Sequence, residues 1–182
     1  MTAQPQRTSS RIQLLLLFSM AVVSLGGAWL LFQSAQGGSV WGTTNKGTFV
    51  DPPLTAAELQ IRDSAGHLSV TDGTWWLWVV PQGPCEAACQ EALHQMRQLH
   101  VLLNRDAKRV RRALMSQTVT ADPHLEALYP QLAFLSGNVQ ALAHGVYIVD
   151  PIGNLVLHYP LHGSERMVLD DLKRLLKVSQ IG

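Results

Sequence analysis

Cysteine is almost missing from this 182-residue chain: Cys85 and Cys89 are the only two. Two thiols are too few for a four-cysteine zinc site or an iron–sulfur cluster, so both centres are excluded. Charge imbalance is missing too. Lys and Arg number 14 against 13 Asp and Glu, a formal +1, which leaves no basic excess for a nucleic-acid binder or a polybasic membrane patch. Internal repeats and low-complexity tracts are lacking, and the length suits one domain. No grouping of nucleophile and base stands out, so a hydrolase is not expected.

One stretch has no charge at all. Ile12–Phe32 reads IQLLLLFSMAVVSLGGAWLLF, roughly 30 Å of helix and so the thickness of a bilayer's hydrocarbon core. Arg7 and Arg11 precede it, and the next Lys or Arg is Lys46. The positive-inside rule therefore predicts residues 1–11 as a cytoplasmic tail, 12–32 as a transmembrane anchor, and the rest on the far side. A cleaved signal peptide would have a shorter apolar core, and small residues where Gln33 stands. The expectation is a single-pass protein of the bacterial inner membrane with a periplasmic domain, where paired cysteines can form a disulfide.

Residues 33–53, rich in Gly, Thr and Pro, read as a linker or arm before a domain over 54–182. Within that domain, ELQIRD and HLSVTD around Ser64-Ala65-Gly66 predict a hairpin. TWWLWVV (Thr74–Val80) predicts a central strand covered on both faces, with Trp76 and Trp78 on one and Trp75 on the other. Ala92, Leu93, Met96, Leu99 and Leu103 recur at helical spacing over 86–104. A second strand is expected around Arg111–Met115. Asp122-Pro123 opens a helix towards Ala133. GVYIVDP and NLVLHY form a hairpin across Pro151-Ile152-Gly153, and Ser164 caps a last helix buried through Val168, Leu169, Leu172, Leu175 and Leu176. The alternation, then hairpin, then closing helix is the element string of an α/β thioredoxin-like domain, a central sheet with flanking helices. It puts the cysteines in the loop after the first strand, where open α/β sheets carry their sites.

Two cysteines four apart can sit about one helical turn from each other, within reach of a disulfide. A helix N-terminus stabilises thiolate and makes such a pair reactive or metal-competent. Two soft thiolates with one imidazole suit Cu(I). A bridge across so short a loop restrains the unfolded chain little, so an inert staple explains the pair poorly. Among the histidines, His144 is the candidate ligand, since it precedes the strand that returns towards the cysteine loop. His94 and His100 read as helix positions, His100 packing partly inwards. His158 and His162 read as surface or turn residues beyond the last strand, and His67 and His124 as loop positions. Lys108–Arg112 reads as a solvated turn and strand start, or as a docking patch for an acidic partner.

The anchor, the strand before the Cys-x-x-x-Cys loop, the helix after it and VYIVDPIGNLVLHY together resemble the Sco/SenC family, from about Leu59 to the end. Glu86 stands where that family carries proline, so a divergent member is expected. The resemblance implies an assembly factor for cytochrome c oxidase. It would either deliver Cu(I) held by Cys85, Cys89 and His144, or keep the oxidase's copper-site thiols reduced with Cys85 and Cys89 as a redox pair. The partner implied is an oxidase subunit or another assembly factor. A general periplasmic thiol–disulfide oxidoreductase, or a scaffold whose cysteines are dispensable, are the alternatives.

Overall fold

The computed structural model describes residues 7–36, 44–67, 73–117 and 122–179. The chain forms two compact units, Met1–Thr44 and Asn45–Gly182. In the first, helix α1 runs from Arg7 to Gln36. Its segment Arg11–Ser34 is long and apolar enough to cross a membrane, and none of it is buried within the protein.

The second unit is built on a six-stranded sheet. Its strands are β1 (Thr48–Phe49), β2 (Trp75–Val80), β3 (Val110–Ser116), β4 (Leu132–Ser136), β5 (Gly145–Val149) and β6 (Leu155–Tyr159), in the order β1-β6-β5-β2-β3-β4. β2, β3 and β4 run parallel, and β5 lies antiparallel to β2. β2 is buried along its whole length, as expected of an apolar run in mid-sheet. Its side chains alternate between two cores. Trp75, Leu77 and Val79 face α2 (Ala87–Leu102) and α4 (Glu165–Val178). Trp76, Trp78 and Val80 face the opposite way, onto Ala56, Leu59 and Ile61.

α2 buries Cys89, Ala92, Leu93, Met96 and Leu99 on one stripe. It gives way at Asn104, whose φ of 52° lies in the left-handed region that asparagine tolerates. α4 buries Val168, Leu172 and Leu176, with Asp171 among them, while Leu169 and Leu175 pack partly buried against the same core.

Several expectations are corrected. The helix opened by Asp122 and Pro123 is α3, only Pro123–Leu128. Asp122 does cap it, accepting from the His124 amide. Pro130 then disfavours helical backbone at Tyr129 and has no N–H to continue the ladder. The chain turns into β4, a strand not expected from the sequence. Of the expected first hairpin, HLSVTD lies mostly outside the described residues. ELQIRD is a set of turns with one bridge, Arg62 to Ser136. Ser164 occupies the N-cap position of α4, but its side chain makes no capping hydrogen bond.

Candidate functional site

The loop Pro81–Glu86 leaves the carboxyl end of β2 and holds Cys85 just before α2. Cys89 falls in the first turn of that helix. The two are joined by a disulfide, with Cα atoms 5.1 Å apart. The partners differ in access. Cys89 is 2% exposed and belongs to the core beneath the helix, whereas Cys85 is half-buried and packs against that core. The Gln90 side-chain amide donates to the Cys85 carbonyl at 3.3 Å, and the Glu86 amide to that of Pro84 at 2.8 Å. These bonds hold the loop as it enters the helix.

A groove opens on each side of the loop. One, of about 760 Å³, is lined by Gly83, Glu86, Cys89, His144, His158 and His162, among others. The other, of about 520 Å³, is lined by Gln82, Cys85, Ser116, Asp122 and Phe134, among others. The expected ligand set is thus split. His144 and Cys89 share a groove, and Cys85 looks into the opposite one. No group of three His, Cys, Asp or Glu poised to hold a metal occurs among the described residues. Sulfurs bonded to each other cannot bind Cu(I) as thiolates, so the oxidised site does not fit the metal.

His144 is exposed, directly before β5. Its carbonyl lies 3.2 Å from Nε2 of His158, so that nitrogen donates. His158 is in β6, not beyond it, and pairs with Tyr147 across the hairpin. The two rings meet at 4.7 Å between centroids. The Tyr147 hydroxyl donates to the Ala143 carbonyl at 3.0 Å, and burial pushes its pKa up. Gly145 has a φ of 153° and lies so close to the His158 ring and the Tyr159 carbonyl that a Cβ would strike both. Glycine is therefore required for His144 and His158 to stand side by side. His162 Nδ1 lies 3.9 Å from Glu91 Oε2, with both side chains exposed. His158 and His162 line the groove that holds Cys89 and His144, a placement not expected from the sequence. The signal was the hairpin register, which carries His158 alongside the buried Tyr147.

A second missed feature is Asp171, 4% exposed on the buried stripe of α4. Its Oδ2 accepts from the Lys46 amide at 2.6 Å, the Gly47 amide at 2.9 Å and the Tyr159 hydroxyl at 2.9 Å. Burial, then the Asp171 carboxylate, push the Tyr159 pKa far up.

A parallel β2–β3–β4 core, an antiparallel β5–β6 hairpin, a closing helix and paired cysteines after β2 define a thioredoxin-like protein. The sequence model of the transmembrane-like, thioredoxin-like, C-terminal domain matches residues 75–179, and the chain belongs to that family. Several solved structures share the fold. The chain is 14% identical to Arabidopsis thaliana ScoI with copper bound, with 70% of this chain and 98% of that one covered and a TM-score of 0.54. For yeast Sco1 with copper bound the values are 15%, 76%, 96% and 0.52. For Bradyrhizobium japonicum ScoI with copper bound they are 18%, 64%, 96% and 0.50. The likeness is one of fold. No curated protein matches the sequence.

Proposed function

We propose that this protein is a membrane-anchored assembly factor for cytochrome c oxidase that acts by thiol–disulfide exchange, keeping the cysteines of a copper site reduced. The observation that carries the reading is the unequal access of the bonded pair, with Cys85 half-buried and Cys89 fully buried beneath the helix. In the dithiol form, the Cys85 thiolate attacks a sulfur of the partner's disulfide, forming a mixed disulfide and releasing one partner thiolate, which takes up a proton. The Cys89 thiolate then attacks Cys85 Sγ, releasing the second partner thiol and closing the Cys85–Cys89 bond. A dithiol donor in the same compartment returns the pair to the reduced form, giving up two electrons and two protons. The respiratory setting rests on the fold shared with ScoI and Sco1 structures that have copper bound, and periplasmic placement of the domain on the charges flanking α1.

One observation favours a second reading: His144 lines the same groove as Cys89. Once the bond is reduced, two thiolates and this imidazole offer a soft trigonal set for Cu(I), carried as cargo to the partner. A Cu(I) competition titration on the reduced full-length chain in detergent separates the two. One Cu(I) per chain, lost in Cys85→Ser and weakened in His144→Ala, establishes copper carriage. No binding above that of the cysteine-free variant leaves exchange alone, and failure to reduce a copper-site peptide disulfide would then remove the exchange reading too.

A further inference from the structure

The two bonded cysteines border different grooves. The parallel strands β2, β3 and β4 end on one edge of the sheet, where open α/β sheets place their ligands. Cys85 lines the groove of about 520 Å³ on that edge, between the cysteine loop, Gln117 after β3 and Val139 after β4. Cys89 lines the histidine groove instead, and at 2% exposure it is too buried to meet a partner first.

The chemistry of exchange selects between the grooves. Displacement at sulfur runs in line, with the attacking and leaving sulfurs on opposite sides of the central one. When the Cys89 thiolate attacks Cys85 Sγ, the partner's sulfur departs with the electron pair and takes up a proton. It therefore stands on the side of Cys85 away from Cys89. That is the side on which Cys85 borders the groove at the carboxyl edge. The walls there are mixed. Leu125, Phe134 and Val139 offer apolar surface, and Asp122 alone is charged among the described residues that line it. Asp122 is exposed, and its Oδ1 accepts from the His124 amide at 2.9 Å. The histidine groove differs, carrying Glu86 beside three imidazoles.

We propose that the partner's disulfide is presented on an extended peptide that docks in the groove beside Cys85, with an apolar side chain against Phe134 and Val139 and a basic residue against Asp122. The proposal rests on the exchange reading. It adds the side from which the partner approaches and the charge of the segment that carries its disulfide.

The test uses the full-length chain in detergent, reduced beforehand. Two cyclic disulfide peptides, identical except for flanking Lys or flanking Glu, are offered to it and their second-order reduction rates compared. Both meet the same thiolate, so the ratio is independent of how readily Cys85 ionises. The Lys peptide should react about fivefold faster at low ionic strength, and salt should shrink the advantage. Asp122→Asn keeps the helix cap without the charge and should bring the ratio to within about twofold, whereas Glu86→Gln should leave most of it. In a second arm, Cys89→Ser traps the Lys peptide on Cys85, and amide hydrogen exchange is compared with the free variant. Residues 115–117 and 137–139 should slow, and residues 143–144 and 161–163 should not. Equal rates for the two peptides, a ratio that follows Glu86 and not Asp122, or slowing at 143–144 and 161–163 instead overturns the docking groove and leaves exchange standing. No reduction of either peptide overturns the exchange reading and this proposal with it.

Discussion

The cysteine loop and the Asp171 clasp are both ties, and they differ in every physical respect. The disulfide is covalent and joins residues 4 apart. The clasp is only hydrogen-bonded, yet it joins residues up to 125 apart. In the chain-entropy view, closing so short a loop is worth about 2 kcal/mol, against nearly 5 for a hundred-residue loop. The hydrogen-bonded tie holds together distant parts of the chain, whereas the covalent one restrains only a short loop. A covalent bond that the fold scarcely needs is free to break and re-form. That contrast is the physical case for reading the cysteines as chemistry and Asp171 as structure.

Breaking the covalent tie should have the largest functional effect and a small structural one. Replacing both Cys85 and Cys89 by Ser should abolish exchange with a model disulfide while costing about 2 kcal/mol in denaturant unfolding. A loss well beyond that would make the bond a staple after all. Breaking the other tie reverses the pattern. Asp171→Ala strands two backbone amides and a phenol, and should cost about 3 kcal/mol or more, with exchange in the folded fraction unchanged. Tyr159→Phe removes one donor from that carboxylate and should cost about 1–2 kcal/mol at neutral pH.

The same phenol makes the clasp sensitive to alkali. Its folded pKa lies far above the unfolded value of about 10. The folded state therefore keeps a proton that the unfolded state releases above that pH. The stabilisation is complete below about pH 10 and is lost progressively as pH rises further. Tyr159→Phe should flatten that alkaline decline, leaving the part due to Tyr147, whose shift has the same sign. The smallest effect is expected at His144→Ala, within about threefold of wild type in exchange rate, because an exposed imidazole in the groove opposite Cys85 has little to offer the attacking sulfur.

Legibility in the sequence followed how local each cause was. Trp75–Val80 could be read as a central strand because an apolar run between Gly73 and Pro81 has few other fates. The stripe of α2 was readable from spacing alone, and so was the β5–β6 hairpin. There Asp150 fastens the turn by accepting from the Ile152 and Asn154 amides. What escaped depended on distant partners or on one overlooked breaker. β4 was hidden inside an extended α3 until Pro130 is given its full weight. Asp171 carried no signal of its own, although it sits between Val168 and Leu172 on the buried stripe. Its role becomes visible only when Lys46 and Gly47 arrive from the other end of the chain. His162 is exposed, as expected of a turn residue, whereas His158 lies within β6, where the hairpin register sets it beside Tyr147. The covering of Trp76 and Trp78 by Ala56, Leu59 and Ile61 was likewise unreadable, since irregular segments carry no period.

The clasp also sets how the globular unit responds to tension. A pull delivered from the amino-terminal side enters that unit at Lys46 and Gly47, and Asp171 passes it to α4 and, through Tyr159, to β6. β6 is bonded to β5 and β5 to β2, so the load spreads into the sheet before it reaches Pro81 and the cysteines. Cys85 and Cys89 lie outside that chain of contacts.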